Sequence, residues 1–440
     1  MPSLSVAMIV KNEAHCLAEC LDSVQGIADE LVIGDTGSTD DTVAIAERFG
    51  ARVLRVPWRD DFAAARNEVL AHATGDWLLH LDADEMLDPE GARRIRALVD
   101  ADGAGADAIE VTLANYCDDP RAWRWTTVAP GDPFARGHAG CIKVGLLRLF
   151  RNGMGFSYRE PVHESITESV RECEGVVRTE PIVVHHYGYQ PATAMGVDKM
   201  SRYLAIARRK VEERREDAKA WHDLAELEFA AGHVPEAETA SRRALAIEPH
   251  HLGAATTLVN ILLNRGDFKE ARTLLEGLEA AGITAPHVQT ALGAIDCREG
   301  NVQRARVRLE GVLEAAPEAV MARVCLARAL DHLGDTRGAR TQLEQASAIV
   351  PDIKEFRDLV EAHESRTEGE RAYMRGDTKG ALEALVQALR LDPEDPFTHN
   401  ALGVVLAALG EAERARVSFD RALQLAPHMP EVSENLAALG

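Results

Sequence analysis

Nowhere in the 440 residues does an uncharged apolar run reach the 18 or more that a membrane-spanning helix needs. Met1 to Val10 is a short apolar stretch, but its positive charge, Lys11, comes after it, the reverse of a secretory signal. No Asn-x-Ser/Thr sequon is present, and the seven cysteines are odd in number and scattered, with only Cys16 and Cys20 close together. A reducing cytoplasm is the compartment these features predict, with Cys16 and Cys20 as small core residues of a helix. Basic side chains are in deficit, 49 against 71 acidic ones, for a formal net charge of −22. Such a surface repels phosphate backbones and argues against a general nucleic-acid or anionic-membrane binder. The deficit is shared: residues 1–200 hold 32 acids and 19 bases (−13), and residues 201–440 hold 39 and 30 (−9). There is no basic half and no acidic tail. Two nucleotide motifs are missing as well. No Gly-x-Gly-x-x-Gly follows the first apolar strand, which excludes a dinucleotide-binding dehydrogenase, and no P-loop signature occurs.

What is present is an ordinary globular composition, 46% apolar and 27% charged, at a length that predicts two or more domains. The chain changes pattern near residue 200. From about 218 onward Gly232, Gly266, Gly300, Gly334, Gly376 and Gly410 recur every 34 residues, apart from one interval of 42. Five residues after each stands Ala237, Ala271, Ala305, Ala339, Ala381 or Ala415, and seventeen after five of them Pro249, Pro317, Pro351, Pro393 or Pro427. Glycine permits the turn between two antiparallel helices, alanine lets their backbones approach, and proline ends the second helix. This period resembles the tetratricopeptide repeat. Six units over 218–429, an eight-residue insertion near 352–361 and a closing helix over Pro430 to Leu439 are expected.

Before residue 190 short β-rich runs (Leu4–Val10, Glu30–Gly34, Ala51–Val56, Asp76–Leu81) alternate with amphipathic helical patterns. Ser38 or Thr39 is expected to cap the second helix, Gly50 to end it, and Asp88-Pro89 to open another. This order predicts an α/β domain with a mostly parallel sheet, whose ligands bind beyond the carboxyl ends of the strands. Residues 114–160, with Trp123, Trp125 and several prolines, read as an irregular functional loop. The expected domains are 1–190, a helical connector over 191–217, and the repeat solenoid over 218–440.

Chemistry is expected where the strands end. The run Trp77–Leu81 leads into Asp82-Ala83-Asp84-Glu85, and two aspartates at i and i+2 leaving a strand can face one cation. Hard oxygen ligands in an open site suit Mg²⁺ or Mn²⁺ shared with a diphosphate. Asp35-Thr36-Gly37-Ser38-Thr39-Asp40 offers a carboxylate, hydroxyls and a bare backbone to a base or ribose, and Asp61 to Asn67 places Arg66 on a helix at the same edge. His185 and His186 end an apolar strand, so their rings point to opposite faces and only one can serve the site.

These residues, together with Met8 to Glu13 and Arg148-Leu149-Phe150-Arg151, resemble the family-2, GT-A-fold glycosyltransferases, particularly bacterial members carrying tetratricopeptide repeats. The resemblance covers residues 1–190, and extends there to peptide S-glycosyltransferases of bacteriocin clusters and to lipopolysaccharide-core transferases. It implies a Rossmann-like mixed sheet and an inverting transferase that uses a nucleotide-diphosphate sugar, often a UDP-sugar. It implies that the Val10-Lys11-Asn12-Glu13 turn lines the nucleotide pocket and that Asp35, with Thr36 and Gly37, meets the base. Arg66 would contact the base or diphosphate, and Asp82 and Ala83 would lie near the ribose. Asp84 would be the principal metal ligand, helped by Asp82, with His186 returning to the metal or diphosphate. Glu164 is the expected base, with Glu160 and Asp119 in reserve. The acceptor is expected to be a peptide or protein recruited by the repeats, the alternatives being a glycan acceptor or an inactive scaffold. The repeats can equally pair two copies of the chain.

Overall fold

A computed structural model describes residues 1–120, 125–129, 131–188, 194–351 and 353–439; Trp123 and Asp352 lie outside them. The first half contains β1 (Leu4–Val10), α1 (Leu17–Val24), β2 (Glu30–Asp35), α2 (Thr42–Arg48), β3 (Arg52–Arg55), α3 (Phe62–Leu70) and β4 (Trp77–His80). Then follow β5 (Glu85–Leu87), α4 (Pro89–Asp100), β6 (Ala108–Tyr116), β7 (Trp125–Thr127), β8 (Gly140–Arg151), α5 (Thr167–Glu172) and β9 (Val177–His186). Three helices continue the chain: α6 (Ala194–Glu213), α7 (Ala218–Ala230) and α8 (Val234–Ile247). By contacts the chain forms two compact units, 1–117 with 128–258, and 118–127 with 259–440. Among the described residues no helix is long and apolar enough to cross a membrane.

The sheet of the first unit runs β3-β2-β1-β4-β8-β6-β9-β5. β3, β2, β1 and β4 are parallel, β8 is antiparallel to both β4 and β6, β6 and β9 are parallel, and β5 is antiparallel to β9. Both faces are covered, so the parallel strands read as nearly continuous apolar runs. Val6, Met8, Trp77 and Leu79 pack on one side with Leu17, Leu21 and Ile95 of α1 and α4. Ala7, Val32 and Leu78 pack on the other with Ala65 and Val69 of α3.

The local signals act largely as expected. Asp88 accepts from the Gly91 backbone N–H at 2.6 Å with Pro89 at the first helical position, and Gly50 follows α2 in the left-handed region (φ 75°). One capping expectation fails. α2 starts at Thr42 without a side-chain cap, and Ser38 and Thr39 instead bind the turn after β1. The supposedly irregular segment 114–160 contains the twelve-residue strand β8.

The repeat signals are met in full. All six repeat glycines have φ between 78° and 89°, and all six repeat alanines are fully buried. The first pair, α7 and α8, belongs to the first unit. In the second unit Pro286–Arg298 pairs with Val302–Ala315 and Val320–His332 with Thr336–Ile349, then Lys354–Met374 with Thr378–Leu391 and Pro396–Ala408 with Ala412–Leu425, before the closing helix Pro430–Ala438. The insertion is absorbed by helix extension: Lys354–Met374 has 21 residues where α7 has 13.

Candidate functional site

The carboxyl edge of the sheet is crossed by the segment that carries both aspartates. β4 ends at His80 and β5 begins at Glu85, yet β5 pairs with β9 at the far side of β8 and β6. Asp82-Ala83-Asp84 therefore strides over the edge, and strand alternation, from which a shared direction was expected, does not apply. Asp82 and Asp84 have different neighbours.

Asp82, itself partly exposed, caps a buried network drawn from α3, β4, β5, β8 and the loop after β8. Its Oδ1 lies 2.9 Å from Arg66 Nη2 and 3.5 Å from His80 Nε2, and its Oδ2 lies 3.8 Å from Arg148 Nη2. Arg148 also pairs with Glu85, whose other oxygen accepts from the Asp82 backbone N–H at 2.9 Å. His80 Nδ1 accepts from the Tyr158 hydroxyl at 2.6 Å and from Arg148 Nη1 at 2.7 Å. Nε2 in turn faces Arg66 Nη1 as well as Asp82, so each ring nitrogen meets an arginine N–H. Burial, reinforced by the charges of Arg66 and Arg148, pulls His80 down to about 3, so the ring stays neutral. Burial alone would raise the Asp82 carboxyl, but Arg66, His80 and Arg148 hold it well below the usual carboxylate range.

Asp84 faces the opposite way, toward β9. Its Oδ2 lies 3.4 Å from His186 Nε2, while His186 Nδ1 is 2.6 Å from Asn115 Oδ1 on β6. An amide oxygen only accepts, so Nδ1 carries a proton; burial pulls the ring's pKa down, but Asp84, Glu85 and Asp82 lift it above its ordinary value, so Nε2 is a proton site facing Asp84. A carboxylate and an imidazole nitrogen held together, the ring oriented through its other nitrogen, form a donor pair that a divalent cation can use in place of that proton. Gly188 closes it: a Cβ there would stand 2.0 Å from Asp84 Oδ2 and 2.7 Å from His186 Nε2. The neighbouring His185 diverges, as strand geometry requires, to Tyr116 (2.7 Å) and Asp88 (3.5 Å).

The turn after β1 and the loop after β2 are stitched together. Asn12, at φ 58°, donates its backbone N–H to Ser38 Oγ (2.9 Å) and accepts from Thr39 N–H at Oδ1 (2.7 Å). Glu13 N–H donates to Thr42 Oγ1 (2.8 Å), and Thr36 Oγ1 donates to the Val10 carbonyl (3.1 Å). Asp35 accepts from Ser38 N–H (2.9 Å) and Gly37 N–H (3.3 Å), an Asx turn that shapes the loop. Gly37, at φ 109°, has open space where a side chain would begin. Lys11 stands partly exposed in this turn.

Of the three expected bases only Glu164 joins the network, with Oε1 2.6 Å from Arg66 Nε. Arg66 is thus enclosed between two carboxylates. Glu160 turns away to Lys210 and Arg214, and Asp119 belongs to the second unit. His80, Arg148, Tyr158, Asn115 and Gly188 carry no expected role. A histidine inside the otherwise apolar Trp77–His80 strand was the one available signal, since buried polar groups need partners. Ala83 is buried beneath the crossing segment, and Cys20 Sγ donates to the Asp82 carbonyl at 3.4 Å from below. The expectation of a core Cys20 fits, while Cys16 is only partly buried. Among the described residues the group of three ligand atoms within 4.8 Å is Glu13, His15 and Cys16, not the two aspartates.

A mixed sheet carrying acidic residues across its carboxyl edge, followed by helical hairpins, defines an α/β domain with a helical repeat region. Residues 5–159 match the family profile of glycosyl transferase family 2; residues 236–295 and 298–362 match tetratricopeptide repeats, and 369–410 a TPR repeat. The chain carries a family-2 glycosyltransferase domain followed by tetratricopeptide repeats. Over 286 residues it is 33% identical to a TPR repeat-containing protein of Synechococcus elongatus, covering 63% of this chain and 57% of that one. Over 90 residues it is 42% identical to an uncharacterized glycosyltransferase of Rickettsia felis, covering 20% and 31%. Over 96 residues it is 33% identical to SunS, a prophage-derived glycosyltransferase of Bacillus subtilis, covering 21% and 23%. The chain thus spans little more than half of the first relative and less than a third of the others.

Proposed function

We propose that the first unit is an inverting glycosyltransferase that moves a sugar from a nucleotide-diphosphate sugar, a UDP-sugar in the first instance, to a peptide or protein acceptor. The observation that carries this is the Asp84–His186 pair at the sheet's carboxyl edge, oriented by Asn115 and closed by Gly188, within a family-2 domain. Asp84 and His186 would hold Mn²⁺ or Mg²⁺. Such a cation, when bound, neutralises charge on the departing diphosphate.

The chain's own residues do the rest. The stitched loops Val10–Glu13 and Asp35–Thr39 present a rigid rim with Asp35 and Lys11 to the nucleoside. Arg66, fixed by Asp82 and Glu164, keeps a permanent positive charge beneath the site. In a single in-line displacement the acceptor oxygen, sulfur or nitrogen bonds to the anomeric carbon as the carbon–oxygen bond to the diphosphate breaks. The acceptor proton passes to a carboxylate, for which Glu164 is the candidate because it alone of the three lies in this network. Such a base contributes about 10²–10⁴-fold.

The test is hydrolysis of nucleotide sugars with Mn²⁺ present. Turnover abolished by EDTA and by Asp84→Ala is the expected result; wild-type protein that neither binds nor hydrolyses any nucleotide sugar would sink the reading. Recruitment of a protein acceptor is tested by truncation after α8, which keeps the sheet and the helices α6 to α8. Protein glycosylation should fall while hydrolysis of the sugar nucleotide persists.

A further inference from the structure

The loop that carries Glu164 is built in an unusual way. Arg159 and Ser165 close its neck with two backbone hydrogen bonds, of 2.9 and 3.1 Å. Within it Glu160 (φ 77°) and His163 (φ 54°) occupy the left-handed region that side-chain-bearing residues avoid. Such strain persists only where the surroundings over-determine it.

The surroundings here come from two directions. On the sheet side the Pro161 carbonyl accepts from Phe62 N–H at 3.0 Å, and Glu164 reaches Arg66, one turn further along α3. On the other side stand α6 and α7, the connector and the first repeat. Val162 is buried in an apolar cluster with Leu204, Ala207 and Val211 of α6 and Leu224 of α7. Beside it the Lys210 ammonium, its side chain 1% exposed, lies 2.8 Å from Glu160 Oε2 and 3.0 Å from Asp223 Oδ2. Arg214, one turn after Lys210, grips the other oxygen of Glu160. The buried lysine is the one cation shared by both carboxylates, each of which has a further partner nearer solvent, Arg214 for Glu160 and Lys219 for Asp223, so Lys210 is what ties the loop to α7.

We propose that Lys210 is a positioning residue of the transferase: by holding Glu160 it fixes the 159–165 loop and thereby sets the Glu164 carboxylate against Arg66. The connector and first repeat then belong to the catalytic unit, and only the later repeats remain for acceptor recruitment. This rests on the transferase reading above. It explains why Glu160, four residues before the candidate base, faces away from the site: its carboxylate is the handle by which the loop is held.

The experiment uses the full chain and compares wild type, Lys210→Met and Glu160→Gln with a UDP-sugar and Mn²⁺. In both variants kcat should fall at least tenfold while KM for the UDP-sugar stays within threefold, because the donor loops are untouched. The kcat–pH profile should keep its shape at reduced height, where loss of the base itself would remove its ascending limb. Amide hydrogen exchange over 159–165 should accelerate in both. Glu160→Gln, which keeps a hydrogen-bond acceptor for Lys210, decides the matter alone if Lys210→Met does not fold. Variants that fold and retain kcat within twofold of wild type overturn the positioning role only; a wild type without turnover overturns the transferase reading and this role with it.

Discussion

Gly188→Ala is the sharpest probe of the cation site, because it adds one methyl group and no charge. The new Cβ would lie 2.0 Å from Asp84 Oδ2 and 2.7 Å from His186 Nε2, so one or both must retreat. Non-bonded carbon and oxygen rarely approach within about 3.0 Å, so the carboxylate moves by roughly 1 Å. His186 cannot simply yield, since its ring is fixed from behind by Asn115 at 2.6 Å. Disturbing the support of a metal ligand typically weakens affinity about 10–100-fold, which is about 1.4–2.7 kcal/mol. The residue is exposed and outside the strands, so folding without metal should change little. The assay is the rise in apparent melting temperature as Mn²⁺ is titrated at fixed UDP-sugar, with hydrolysis followed in parallel. The Mn²⁺ midpoint should move up about 10–100-fold, with kcat partly restored at saturating metal. An unchanged midpoint would show that Asp84 and His186 do not hold the cation together, whatever else the domain does.

Other outcomes follow from the same geometry. Asn115→Leu frees the His186 Nδ1 proton of its partner and should weaken Mn²⁺ binding about tenfold without altering nucleotide binding in the absence of metal. Arg148→Met leaves Glu85 and Asp82 buried without their shared cation and should destabilise the first unit by about 3–5 kcal/mol, read as a lowered urea midpoint. Acid should do something similar by proton linkage. Burial, and then His251, pulls His222 down to about 4, and His80 lies at about 3, both below the unfolded value near 6.5. Their contribution is complete above pH 6.5 and is lost as pH falls, because the unfolded chain takes up protons that the folded chain refuses. Each should cost about 2 kcal/mol between pH 7 and 5. Urea unfolding at the two values, with His222→Leu flattening the difference by about that amount, checks the sign; parallel behaviour of wild type and variant would contradict it. In the second unit Ala339→Leu forces a side chain between two helices where no exposed surface remains, at a cost of about 1–3 kcal/mol in the repeat transition.

What could be read from the sequence was whatever is local. Period-two and period-3.6 patterns located β1, β2, β4 and α1 because each strand or helix writes its own burial into consecutive residues. The six Gly–Ala registers worked for the same reason, every repeat solving an identical helix-turn-helix problem. Even the eight-residue insertion was visible, though not its form, since a longer helix and a loop have the same length in sequence. The failures are all non-local. Ser38 and Thr39 look like caps until the turn after β1, 26 residues earlier in the chain, competes for them. His80, Arg148 and Tyr158 meet across 68 and 78 residues of chain, and nothing in the neighbourhood of any one announces the others.

The two aspartates show how a correct residue choice can rest on an incomplete physical reason. Strand alternation suggested one cation shared by both, but the chain leaves the strand at His80 and crosses to β9, which separates their roles. Asp82 is occupied by two arginines and a histidine that stays neutral. Asp84 faces His186 Nε2. Counting the ionised groups of the whole edge sharpens the point. Among the described contacts Asp82, Glu85 and Glu164 share Arg66 and Arg148, three carboxyl groups to two cations, and burial pushes Glu85 up to about 7. A bound diphosphate adds to that negative charge, which is the electrostatic support for the divalent cation proposed above. Asp84, with the His186 ring beside it, is the carboxylate proposed to hold that cation, and the Gly188→Ala titration is its test.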